Sequence, residues 1–99
     1  MKLSEKQQRF AKMVALLIQY IDLMGYAVTF GDAHAYPEDK RHCPTSFHYQ
    51  RLAVDLNLFK DGKYLSQTED HAQFGAFWKL IGGSWGGDFL DGNHYSYGE

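Results

Sequence analysis

One cysteine, Cys43, is all that the 99 residues contain. No disulfide can close within such a chain, so the fold rests on its apolar core and on any metal it holds, which is compatible with synthesis in a reducing cytoplasm. The same count excludes a structural zinc site of the usual kind, whose four protein ligands are commonly thiolates; Cys43 itself reads as a loop thiol. Excess positive charge is missing too. Lys and Arg number 10 against 12 Asp and Glu, giving a formal net charge of -2, and no basic run or stripe occurs, so neither nucleic acid nor another polyanion is an expected partner. Long apolar runs are also absent. The longest, Met13 to Ile18, is far short of the ~20 residues that cross a bilayer. Polar residues from Glu5 to Arg9 interrupt the stretch where a signal peptide needs an unbroken apolar core, so neither membrane insertion nor an export signal is expected. No linker, repeat or low-complexity segment divides the chain, and an apolar share of 44% with 16% aromatics suffices for the core of one domain over residues 1–99.

What is present is patterned. Phe10, Met13, Val14, Leu17, Ile18, Ile21 and Met24 recur at three- and four-residue intervals, predicting an amphipathic helix from about Ser4 to Met24, stopped by Gly25. Ser4 with Gln7 fits a capping box at its start. Tyr26 to Phe30 reads as a short strand. A polar stretch from Asp32 to Thr45 follows, with Pro37 and Pro44 and no periodicity, a length uncommon in a loop without a function. It carries His34, Arg41, His42 and Cys43, each of which faces either a substrate or water. Lys60-Asp61-Gly62-Lys63 has the Asp-Gly signal of a tight hairpin. Thr68 or Ser66 is placed to cap a second helix, about Glu69 to Leu80, with Phe74, Phe77, Trp78 and Ile81 as its buried stripe and Gly82-Gly83 as its stop.

Between the loop and the hairpin lies the most informative run, Ser46 to Phe59. From Leu52 onward it alternates, with Leu52, Val54, Leu56 and Leu58 on one side and Ala53, Asp55 and Asn57 on the other. A carboxylate at Asp55, in the middle of a β-forming run, calls for a bound cation or a polar partner. His48 precedes it in the loop, and His94 follows Asp91-Gly92-Asn93, a turn signal that lets Asp91 and His94 converge. Two imidazoles and one carboxylate suit zinc and leave a fourth position open to water, the arrangement of catalytic sites. Alone, Asp91 to His94 is an ordinary Asp-Gly turn with an exposed imidazole. Trp85, Tyr95 and Tyr97 either wall a cleft or complete the core.

Taken together, Ser46-x-His48-x-x-x-x-Ala53-x-Asp55 and the late Asp91-x-x-His94 resemble the zinc peptidases that cut bacterial cell-wall peptides. These are the D-alanyl-D-alanine carboxypeptidases and dipeptidases and the L-alanyl-D-glutamate endopeptidases of metallopeptidase family fifteen. Thr29 to Ala33 (Thr-Phe-Gly-Asp-Ala), Arg51 to Phe59 and Trp85 to Phe89 (Trp-Gly-Gly-Asp-Phe) are similar to short phage and prophage members that act as endolysins, so the likeness spans about Tyr26 to Tyr97. It implies a single zinc peptidase domain binding one zinc ion (Zn2+) through His48, Asp55 and His94, with Asp91 as catalytic base. Ser46 is implied as a support for the first His, and Asn57 lies on the same strand face as Asp55. Such members often place an Arg soon after Gly-Asp-Ala, where this chain has His34-Ala35-Tyr36, so Arg41 or His34 is left to hold substrate, or no residue does.

The expected fold is α+β, a small, mostly antiparallel sheet with two main helices on one face and the zinc cleft on the other. The expected partner is bacterial peptidoglycan, met by a monomer made in the host cytoplasm. It would reach the periplasm or wall after a separate protein permeabilises the membrane. Two other classes compete: a zinc-stabilised wall-binding or regulatory domain without turnover, favoured by the missing Arg, and a small His-Asn-His nuclease, suggested only by Asn93-His94 and lacking basic residues around it.

Overall fold

The computed structural model describes residues 1–31 and 50–98. Two helices and a small antiparallel sheet make an α+β domain, in the order α1 (Leu3–Leu23), β1 (Ala27–Phe30), β2 (Ala53–Lys60), β3 (Lys63–Leu65), α2 (Ala72–Leu80), β4 (Ser84–Trp85) and β5 (His94–Ser96). Short 3-10 turns lie at Thr68–His71 and Gly86–Phe89.

β2 is the centre of the sheet. β1 pairs along one edge, from Ala27 opposite Phe59 to Phe30 opposite Leu56. β3 and β5 share the other edge, β3 at Leu58 to Lys60 and β5 at Ala53 to Asp55, and β4 closes on β5. The expected alternation holds from Val54 onward: Leu52, Val54, Leu56 and Leu58 are all buried in the core and Asp55 and Asn57 only half-buried, while Ala53, on the polar side, is fully buried as well. Asp61 and Gly62 both take positive φ, 52° and 78°. That is the twist a two-residue hairpin of the primed type requires, and it is why Asp-Gly stands there.

α1 lays Phe10, Met13, Leu17 and Ile21 against the apolar face of β2. It ends as expected: the Gly25 N–H donates to the Asp22 carbonyl at 3.0 Å and the Tyr26 N–H to that of Ile21 at 3.1 Å, with Gly25 at φ 89°. This pair of bonds is a Schellman cap, and α2 repeats it with Gly82 to Lys79 and Gly83 to Trp78. The helix starts differ from expectation. α1 begins at Leu3, the Lys2 N–H donates to Glu5 Oε1 at 3.4 Å, and Ser4 and Gln7 lie inside the first turns, where Ser4 Oγ accepts from Gln8 and Gln7 Nε2 donates to the Gln50 carbonyl. Glu5, one turn in, thus plays the part expected of Gln7, accepting the N–H of the cap residue itself. α2 begins at Ala72 rather than Glu69. The tighter 3-10 turn comes first, its start held by the Gln67 N–H on Asp70 Oδ2 at 3.0 Å, and the Thr68 hydroxyl is used elsewhere.

Aromatic side chains bind the two helices and the sheet into one core. The Phe10 and Trp78 rings meet edge to face at 5.9 Å, Trp78 and Tyr95 at 5.8 Å, and Tyr20 stacks on Phe77 at 4.4 Å. The buried Trp78 indole donates to both the Ser96 carbonyl (2.9 Å) and the Ser84 carbonyl (3.1 Å), which ties α2 to β5 and β4. His71 is buried as well, at 4% exposure. Burial lowers its pKa despite the opposing pull of Asp70 beside it, and burial raises the Tyr95 phenol well above its ordinary value. The two meet at 2.8 Å. With the imidazole neutral and the phenol protonated, one hydrogen bond joins the Tyr95 hydroxyl to His71 Nδ1.

Two outcomes follow for stability. Gly75 faces the Trp85 ring so closely that a Cβ there would enter it. Helix propensity favours Ala over Gly by ~1 kcal/mol, but overpacking a rigid ring costs ~1–3 kcal/mol, so Gly75→Ala should lower urea-unfolding stability. For His71, the unfolded chain binds its proton near the ordinary value of 6.5 and the folded chain only at lower pH. Its contribution is therefore complete above that value and is lost as pH falls through it toward the folded pKa. Unfolding free energies measured from about pH 7 to about pH 5 should fall more steeply for the unaltered protein than for His71→Gln.

Candidate functional site

Antiparallel pairing sets Asp55 of β2 directly opposite His94 of β5, with both side chains on the face turned away from the helices. Their polar atoms meet: His94 Nδ1 lies 3.2 Å from Asp55 Oδ1, with the side chains 24% and 18% exposed. The backbone on either side is locked. The Gly31 N–H donates to the Asp55 carbonyl at 2.7 Å and the Leu56 N–H to the Asn93 carbonyl at 2.9 Å.

Asp91 arrives by the expected turn, closed by the His94 N–H on the Asp91 carbonyl at 3.1 Å, while the Asp91 N–H donates to Gly86 at 2.9 Å. Gly86 is buried under this turn, and a Cβ on it would meet the Asp91 carbonyl and, at 2.8 Å, His94 Cβ. The exposed Asp91 and half-buried His94 line one cleft of 340 Å³, walled by Trp85, Ser84, Lys79, Asp88 and Phe89. Trp85 thus serves both roles open to it, packing on α2 at Gly75 and walling the cleft, with its indole N–H on the Gly92 carbonyl at 2.7 Å. Tyr95 is wholly core, and Tyr97 packs partly buried against it. At the rim Lys79 pairs with Asp88 at 3.3 Å, an exposed contact of ~0–1 kcal/mol. A larger cavity of 560 Å³ lies between α1 and the Phe30, Arg51 and Ala53 region, yet among the described residues that line it Arg51 alone is ionisable. The chemistry therefore favours the smaller cleft.

Asp55 and His94 fit a zinc ion by donor type and by spacing. Two ligand atoms on tetrahedral arms of ~2.1 Å stand about 3.4 Å apart, close to the observed 3.2 Å. Among the described residues no group of three His, Cys, Asp or Glu is placed to hold a metal. The expected third ligand, His48, lies outside the described residues, as do Ser46, Arg41 and His34. Asn57 stays on the Asp55 face and donates its amide to Thr29 Oγ1 at 3.3 Å across the β1–β2 pair.

The sequence reading overlooked His71 and the use made of Thr68. A signal for the first exists, since His71, Phe74, Gly75 and Trp78 fall at i, i+3, i+4 and i+7 and form one buried face. Among the described residues no helix is long and apolar enough to cross a membrane.

No curated protein matches the chain. A family model described as D-alanyl-D-alanine carboxypeptidase matches residues 39–97, a stretch that takes in His48, Asp55, Asp91 and His94, and the chain belongs to that peptidase family.

Proposed function

We propose that the protein is a zinc-dependent peptidase that hydrolyses peptide bonds in bacterial peptidoglycan, of the endolysin type. The bond is that of an L-alanyl-D-glutamate endopeptidase or of a D-alanyl-D-alanine carboxypeptidase. The observation that carries this reading is the facing of Asp55 and His94 across β2 and β5 in a member of a peptidase family, with Asp91 on the same cleft as His94.

Asp55, His94 and, by the sequence pattern, His48 would hold the ion. Zinc bound there supplies Lewis acidity toward a scissile carbonyl and toward water. The chain's own residues do the rest. Asp91, exposed at the cleft, accepts a proton from the attacking water as the water oxygen bonds to the carbonyl carbon, then returns that proton to the departing amine nitrogen as the C–N bond breaks. Trp85 and Gly86 form a fixed wall against which the peptide lies. The enzyme acts as a monomer in the periplasm or wall, after another protein has opened the membrane.

Mass spectrometry of soluble products from purified Gram-negative peptidoglycan tests the reading. The zinc-loaded protein should release new peptide termini, chelation should abolish them, and Asp91→Ala should slow their release by ~100- to 10,000-fold while keeping its zinc. Asp55→Ala and His94→Ala should lose zinc affinity itself. No products from a zinc-loaded protein would favour the wall-binding alternative, and full activity in Asp91→Ala would remove Asp91 as the base.

A further inference from the structure

The turn that carries Asp91 and the strand that starts at His94 are both held from one place, the 3-10 turn Thr68–His71. Thr68 Oγ1 accepts the Gly92 N–H at 3.3 Å, and His71 Nδ1 shares a hydrogen bond with the Tyr95 hydroxyl at 2.8 Å. One bond falls directly after Asp91 and the other directly after His94, so the two bracket the imidazole. The grip on Gly92 is double. Its carbonyl accepts the Trp85 indole N–H at 2.7 Å while Thr68 holds its N–H, so side chains hold both polar groups of that residue's backbone. The approach is backbone on backbone, since a Cβ on Gly92 would stand 2.6 Å from Thr68 Cα.

The restraint matters because β5 is three residues long and β4 two. Strands so short fix a side chain only loosely by their ladder bonds, whereas a catalytic group must be held to within ~0.5 Å. Glycine at position 92 is the residue most free to let the turn drift.

We propose, resting on the peptidase reading, that Thr68 and His71 are positioning residues. Thr68 places the Asp91 carboxylate through Gly92, and His71 places the His94 imidazole through Tyr95. One short turn thereby governs proton transfer at one end and ligand geometry at the other.

The two ends carry different signatures, and zinc-loaded full-length variants separate them. Thr68→Val removes the hydroxyl at nearly constant volume. It should lower kcat on a soluble muropeptide by ~10- to 100-fold, leave KM and zinc affinity within about 2-fold, and speed hydrogen exchange of the Gly92 amide. Thr68→Ser, which keeps the hydroxyl, should restore both kcat and the slow exchange. Tyr95→Phe removes the bond to His71 while keeping the ring, and should weaken zinc, measured against a chromophoric chelator, by ~10- to 100-fold.

Unchanged kcat and unchanged Gly92 exchange in Thr68→Val would overturn the role of Thr68. Wild-type zinc affinity in Tyr95→Phe would overturn that of His71. Losses of kcat and zinc affinity in step with a lowered Tm, in both variants alike, would reduce the turn to a structural brace. If the unaltered protein turns over nothing, the peptidase reading fails and takes the Asp91 half with it, and the zinc affinity of Tyr95→Phe still decides the His94 half.

Discussion

The register of β2 against β5 is the constraint on which the site depends. With Val54 opposite Tyr95 and Asp55 opposite His94, the apolar pair points to the helices and the polar pair points away. A slip of one residue would exchange the faces, driving an imidazole into the core and putting Tyr95 in water. Tyr95 is fully buried, meets Trp78 edge to face and has its hydroxyl satisfied by His71. Exposing an aromatic of that size forfeits ~1.5–3 kcal/mol or more of burial, and the slip would also leave the buried His71 Nδ1 without its partner. The core thus fixes the register, and the facing of Asp55 with His94 follows from it. No attraction between carboxylate and imidazole is needed to bring them together.

α2 transmits the same order to the cleft. Its two tryptophan partners work on opposite sides: Trp78, within the helix, binds the carbonyls of Ser84 and Ser96 from the core, and Trp85, beyond it, lies on Gly75 and binds the carbonyl of Gly92 from the cleft. Between them they hold both ends of the segment that carries Asp91 and His94. A helix nine residues long would be marginal alone. Packed on α1 through Tyr20 with Phe77 and Phe10 with Trp78, it becomes the rigid support that β4 and β5 lack.

How much of this was legible in the sequence depended on the length of each element. The alternation from Leu52 to Leu58, the Asp61-Gly62 hairpin, the stripe of α1 and both glycine stops were readable, because each rests on a local pattern that the fold obeys. β4 and β5 were not, since two and three residues are too few for a period to show. The start of α1 was misplaced because Ser4 and Gln7 match a cap by type, whereas Glu5 reaches the free N–H of Lys2 from one turn inside. In the site, Asp55 announced itself as a carboxylate in a β-forming run and Asp91 to His94 as a turn. Their meeting across 39 residues came from the family resemblance and not from any spacing. His71 escaped notice because a polar residue at a helix start is ordinarily solvated, and only its place on the Phe74, Gly75 and Trp78 face marks it as buried.

Asp55 and His94 are proposed to face each other as metal ligands and not as a simple ion pair. The most direct test is the anomalous scattering of zinc in crystals of the protein grown with the ion, recorded on both sides of the zinc edge. A metal held there should give one strong peak within ~2.2 Å of both Asp55 Oδ1 and His94 Nδ1. A fully ordered crystal with zinc in solution, no peak between those atoms, and the 3.2 Å contact intact would contradict it.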